Sequence, residues 1–259
     1  MPITDATQRF SSRVENYIRY RPGYPPGVIE TLKSECGLTA DSVIADVGSG
    51  TGLLARIFLE NGNRVIGIEP NTDMREAGDR LLKDFAKFSS LDGTAETTTL
   101  ADGSVDFVTA GQAAHWFDRG RAKVEFGRIL RPYGWVALIW NDRSTDATPL
   151  LVEYEQLLVT YGTDYHEVKR DGIETVIQMK EFFAPNPLVT RIFPNSQEFD
   201  LDGLKGRLLS SSYAPAEGHA NHAPMMAELQ RIFDAYQENG TVRFEYETRM
   251  YYGQIAPSH

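Results

Sequence analysis

One stretch restricts the fold more than any other: VIADVGSGTGLLARIFLENG, residues 43–62. Its apolar opening meets three glycines in five residues, Gly48, Gly50 and Gly52, and a helix-like pattern follows at once. That order spells a buried strand, a loop whose main chain must come close to something, and a helix. Leu53, Leu54, Ile57 and Phe58 fall on one face of the helix, and Gly62 stops it. RVIGIE, 64–69, is then a second buried strand.

The alternation continues along the chain. RYRPGYPPG, 19–27, holds three prolines and two glycines that forbid regular structure, and PGVIETLKSEC, 26–36, reads as a helix with proline near its start. Asn71 or Thr72 caps a helix to about Lys83, with Met74, Ala77, Leu81 and Leu82 as its apolar stripe. Residues 87–104 hold a short strand and a loop, VDFVTAG is a further strand, and RAKVEFGRIL is helical. RPYG, 131–134, makes a turn into WVALIW, a strand buried on both faces. Strands alternating with helices in this way predict a parallel, doubly wound α/β sheet.

Past residue 145 the rhythm changes. PLLVEYEQLLVTYG and PMMAELQRIFDAYQENG carry apolar stripes at helical spacing, read as core packing. VRFEYETRMYY alternates with period two, as an antiparallel strand near a sheet edge does, and VTRIF, 189–193, is a candidate partner. One domain over 1–259 is expected: an N-terminal lid segment (1–36), a nucleotide-binding core (37–145), then helical insertions and terminal strands (146–259).

A glycine loop between strand and helix serves more than one ligand. Dinucleotide enzymes use G-x-G-x-x-G, whose last glycine lets helix pack on strand while pyrophosphate sits at the helix N-terminus. Here the glycines stand at 48, 50 and 52, and the third-glycine position of that motif is Leu53. A branched side chain opposes the close packing. Glu69, at the end of the second strand, is placed to accept hydrogen bonds from two vicinal ribose hydroxyls. Both features converge on one crevice at the carboxyl ends of the strands.

With these residues assembled, the sequence resembles the class I S-adenosylmethionine-dependent methyltransferases, in their small-molecule "type 11" branch. VIADVGSGTG resembles the first motif and VIGIEP the second strand with its ribose-binding acid. Residues 93–118, GTAETTTLADGSVDFVTAGQAAHWFD, resemble the adenine stretch and fourth strand; RILRPYGWVALIWNDR, 128–143, resembles the fifth. YIRYRPGYP, 17–25, is similar to an N-terminal segment of one branch. The resemblance covers residues 10–145. It implies a Rossmann-like, mostly parallel seven-stranded sheet with an antiparallel C-terminal edge strand and helical insertions, and S-adenosyl-L-methionine as cofactor.

Carried over by position, the resemblance implies the following roles. Asp46, Gly48, Gly50 and Gly52 form the loop at the methionine part, Glu69 takes the ribose, and Pro70 lines the adenine edge. Thr94, Ala95 and Glu96 lie beside the adenine ring. Gln112 and Ala113 border the sulfonium, and Tyr17, Arg21 and Tyr24 cover the cofactor. Thr94 stands where many relatives place an aspartate, Tyr133 replaces a turn glycine, and Thr99 and Ala101 replace prolines.

Methyl transfer from a sulfonium is an in-line displacement in which the protein supplies alignment and excludes water. His115, just after the fourth strand, is the candidate catalytic base, and a histidine merely packed beside Trp116 is its structural alternative. Trp116, Asn141 and Arg143 are candidates for the acceptor; the latter two can equally cap a helix or form an ion pair. His219 and His222 lack the companions of a metal motif, so no metal is expected.

Composition narrows the partners. Net charge is −10 and basic residues are scattered, which argues against a nucleic-acid surface. The sole cysteine, Cys36, allows no internal disulfide. The polar first 20 residues lack a secretory core, and no apolar run reaches the ~20 residues that cross a bilayer. A cytoplasmic enzyme acting on the oxygen or nitrogen of a small molecule is the leading expectation. A non-catalytic S-adenosylmethionine-binding protein and a nicotinamide oxidoreductase are the alternatives. Neither acceptor nor oligomeric state is legible.

Overall fold

The computed structural model describes residues 19–165 and 172–255. Helix α1 (Gly27–Cys36) follows the proline-rich entry and ends on Gly37 in the left-handed conformation. Next come β1 (Val43–Val47), α2 (Leu53–Glu60), β2 (Arg64–Ile68), α3 (Thr72–Leu81), β3 (Phe88–Leu91) and β4 (Val105–Gly111). A short 3-10 turn (Ala114–Trp116) leads to α4 (Arg119–Ile129) and β5 (Leu130–Arg143). The C-terminal part contributes α5 (Pro149–Tyr161), α6 (Gly172–Phe183), β6 (Val189–Phe199), α7 (Leu201–Leu209), α8 (His222–Tyr236) and β7 (Val242–Gly253).

These strands form one seven-stranded sheet in the order β3-β2-β1-β4-β5-β7-β6. The first five run parallel, while β7 is antiparallel to both its neighbours. The expected pairing of 189–193 with the last strand holds, and β7 slots one place in from the edge, with β6 outermost. That position explains its mixed pattern. Alternation persists over 242–247, whereas residues 250–253 are buried on both faces. The 131–134 turn is absorbed into β5 as a bulge: Val105 pairs with Leu130, then Phe107 with Trp135. Tyr133 crowns it, exposed and at φ 68°.

Alternate strand residues feed two cores. Ile44, Val65, Phe107 and Ile139 pack with α1 and α2, and Ala45, Ile66, Val108 and Leu138 with Phe126 of α4 and Phe183 of α6. A third cluster gathers α5, α7 and α8 over β7 and Phe199. Two predicted stripes are rotated by a residue. In α2 the buried face is Leu54, Ala55, Phe58 and Leu59, because Leu53 turns to a cavity wall. In α3, Leu81 is exposed and Gly78 is buried instead; a Cβ there would lie 3.2 Å from the Gly50 carbonyl oxygen. The close helix-to-loop approach is thus made by Gly78, from the next helix. Asn71 is the α3 cap, its side chain accepting from Met74 N–H at 3.0 Å.

Candidate functional site

The site is a solvent-connected cavity at the carboxyl ends of β1, β4 and β5. Asp46, Gly48, Ser49, Gly50, Thr51 and Leu53 form one wall, and Gly111, Gln112 and Asn141 another. The N-terminal segment (Arg21, Pro22, Tyr24) and Arg207 of α7 complete it. Strand ends meet there because the parallel order reverses between β1 and β4, which opens a crevice.

The loop is shaped for close main-chain approach. Gly48, Gly50 and Gly52 all have positive φ, at 67°, 55° and 83°. A Cβ at Gly48 would meet the Ala113 methyl at 2.5 Å, and one at Gly111 would strike the Tyr24 hydroxyl. Asp46, behind the loop, is fully buried. Its Oδ1 accepts from Thr109 Oγ1 at 3.1 Å, the Ala55 N–H of α2 faces the carboxylate, and Oδ2 makes no hydrogen bond among the described residues. Burial raises its carboxyl to about 7. A buried carboxylate oxygen left without a donor, on a cavity wall, fits a cationic or N–H-bearing ligand.

Glu69 stands behind Gly50, outside the cavity wall. One carboxylate oxygen accepts from Gly50 N–H and the other from Asn71 N–H, each at 2.9 Å. Burial raises its pKa and these two donors oppose the rise. The same carboxylate therefore braces the glycine loop against the start of α3 while keeping acceptor capacity for hydroxyls. Pro70 follows it, half-buried. Thr94 to Thr97 form a tight turn with reciprocal backbone bonds; Ala95 is buried, and Glu96 accepts from Asp118 N–H at 2.8 Å. Glu96 thereby ties the expected adenine stretch to the start of α4.

Gln112 and Ala113 sit just past β4. Gln112 has φ 58°, rare for a residue with a side chain, and its amide donates to the Asn141 carbonyl at 3.0 Å. The His115 and Trp116 rings meet at a 42° tilt with centroids 4.7 Å apart; His115 is exposed, and neither is on the cavity wall. Tyr17 lies outside the described residues.

Two residues expected beside an acceptor have other engagements. Asn141 reaches the cavity, but its amide donates to the carbonyls of Pro22 and Gly23 and its oxygen accepts from Thr248 and Asn195. It is a tether for the N-terminal segment. Arg143 is not on the cavity wall: it pairs with Glu155, bonds the Tyr165 hydroxyl and lies 5.0 Å over the Tyr154 ring. The cause is a partly buried acid on α5, Glu155, which takes the guanidinium away from the crevice. His222 Nδ1 contacts the Pro215 carbonyl, and His219 Nδ1 accepts from Asn221 N–H.

Arg207 escaped prediction, although a signal existed. It falls in the apolar stripe of its own helix, three residues after Leu204 and one before Leu208, where a charge is out of place. Thr109, Thr248 and Asn195 were invisible because their partners are distant in sequence.

A switch-point crevice floored by glycines, with one acid on β1 and another just past the end of β2, is where a doubly wound fold offers a ligand site. The methyltransferase-domain family model matches residues 45–138. An uncharacterized methyltransferase of Schizosaccharomyces pombe is 28% identical over 96% of this chain and 97% of its own. A Dictyostelium discoideum protein with a provisional methyltransferase name is 31% identical over 77% of this chain and 76% of its own. An uncharacterized methyltransferase of Mycobacterium tuberculosis is 40% identical, over 54% of each chain. Among solved structures, a provisional type II methyltransferase of Anaeromyxobacter dehalogenans superposes with TM-score 0.72 at 20% identity, over 92% of this chain and 99% of that one. The chain belongs to the class I S-adenosylmethionine-dependent methyltransferases.

Proposed function

We propose that this methyltransferase passes the methyl group of S-adenosyl-L-methionine to an oxygen or nitrogen of a small organic acceptor. The observation that carries the reading is the donorless Oδ2 of buried Asp46 on a wall of positive-φ glycines. Such a wall fits the amino-acid end of that cofactor, whose ammonium would supply the missing donor. When bound, the cofactor supplies a methyl group on a cationic sulfur with a neutral thioether as leaving group.

The chain's own part is holding, covering and drying. Asp46 and the Gly48–Gly52 main chain take the amino-acid end, Glu69 the ribose, and Pro70, Thr94, Ala95 and Glu96 the base. Gln112 and Ala113 shape the wall beside the reacting centre, and Arg21 and Tyr24, on the segment that Asn141 holds at the Pro22 and Gly23 carbonyls, close the crevice against water. Tyr17 extends that cover by position in the sequence. His115 is the base the sequence offers for an acceptor whose attacking atom carries a proton, and it would have to turn in from its exposed place beside Trp116 to reach the crevice. The acidic net charge supports a small-molecule partner over a nucleic acid. A lone, half-buried Cys36 suits a cytoplasmic address, and no helix of the described residues is long and apolar enough to cross a membrane.

The test is release of S-adenosylhomocysteine from S-adenosylmethionine across a panel of small acids, amines and phenols. Acceptor-dependent release that falls about tenfold or more in Asp46→Asn supports the reading. Tight cofactor binding with no acceptor-dependent release would leave a binding protein in its place.

A further inference from the structure

Arg207 is a permanent cation in an enclosed place, 6% exposed yet on the cavity wall. Its Nε donates to the Tyr246 hydroxyl and its Nη1 to Ser211 Oγ, both at 3.1 Å. The groups that face it are the phenols of Tyr246, Tyr154 and Tyr213. No carboxylate among the described residues pairs with it. Glu155, a partly buried acid of this layer, is occupied by Arg143 and Tyr165. A guanidinium cannot shed its proton, and burying one without a countercharge is costly. Hydroxyls orient it but do not neutralise it. Nε and Nη1 are engaged, Nη2 makes no hydrogen bond among the described residues, and the residue lines the cavity.

Resting on the methyltransferase reading above, we propose that Arg207 receives a carboxylate of the methyl acceptor. Its surroundings come from α5, α7, β7 and the 211–213 turn, all beyond the core that carries Asp46 and Glu69. This is the layer that packs as a separate hydrophobic cluster. A second guanidinium, Arg21, lines the same cavity from the N-terminal segment and is held to the Ser210 carbonyl at 3.0 Å. Arg21 belongs to the cofactor cover proposed above, which leaves Arg207 for the acceptor. A planar carboxylate matches a guanidinium nitrogen flanked by tyrosine hydroxyls, whereas a phosphate dianion asks for more positive charge.

The test is calorimetry on protein saturated with S-adenosylhomocysteine. Acetate, benzoate, succinate and citrate are titrated in, together with their amides and inorganic phosphate. At least one carboxylate should bind about tenfold tighter than its amide and than phosphate. Arg207→Met should weaken that carboxylate by about tenfold or more, Arg207→Lys by less, and S-adenosylhomocysteine should stay within about twofold of wild type in both. If Arg207→Met does not fold, Tyr246→Phe keeps the charge, loosens its aim and should weaken the carboxylate alone. Carboxylate binding that is absent or indifferent to these variants overturns the proposal, as does phosphate binding tighter than every carboxylate. Lost S-adenosylhomocysteine affinity in Arg207→Met also overturns it, by giving the arginine to the cofactor. A wild type that binds no S-adenosylhomocysteine would bring down the cofactor reading itself.

Discussion

A single carboxyl group, Asp46, links stability and ligand binding. Burial holds its pKa near 7 in the folded chain, above the 3.8 of an exposed aspartate. The native state therefore binds more protons than the unfolded one between those values, and its contribution to stability is lost as pH rises from about 4 through 7. Asp46→Asn should flatten that slope, read as the urea midpoint against pH; an unchanged slope would assign it elsewhere. Ligand affinity should run the other way. If an ammonium meets Oδ2, S-adenosylhomocysteine should bind more tightly as pH passes from 6 to 8, and Asp46→Asn should abolish the trend. Gly111 makes a steric counterpart, since a methyl group there collides with the Tyr24 hydroxyl. Gly111→Ala should displace the tyrosine and weaken S-adenosylhomocysteine, with urea stability reduced by only ~1–3 kcal/mol.

At the level of elements, the crevice depends on what keeps the 21–24 segment in place. Asn141 gives both amide hydrogens to Pro22 and Gly23 and takes hydrogen bonds from Thr248 and Asn195. Asn141→Ala should cost ~1–3 kcal/mol in urea unfolding, by leaving buried partners unsatisfied. Backbone hydrogen exchange near residues 21–24 should rise with it; full protection would show that another contact holds the segment. This tether shows where sequence reading stops. Strands and helices of the core were legible because each repeats its own period, and Glu69 was legible because it ends a strand beside a glycine loop. Asn141 and Arg143 carried the right chemistry, but their partners lie on β7, β6 and α5, which no local pattern connects to them. Leu53 and Leu81 strayed from their stripes because one meets a cavity and the other yields to Gly78.

For the molecule as a whole, charge and topology agree. A net charge of −10 disfavours phosphate polymers, so fluorescently labelled tRNA should show no salt-dependent binding between about 50 and 200 mM salt. A steep salt slope would restore a nucleic-acid partner. The sheet order reverses between β1 and β4, bringing the glycine loop of β1 beside the end of β4, while the acid ending β2 braces the loop from behind. The later chain adds Arg207 to the wall of that crevice. The first arrangement was readable from motifs in order; the second was not, because an arginine in a helix reads as solvated until the fold buries it. Calorimetric titration of S-adenosylhomocysteine into wild type and Glu69→Gln tests the central assignment most directly. One site on the wild type and an affinity lower by about tenfold, or ~1.4 kcal/mol, in the variant is the result expected. Equal affinity in the two proteins, or no binding to either, would contradict it.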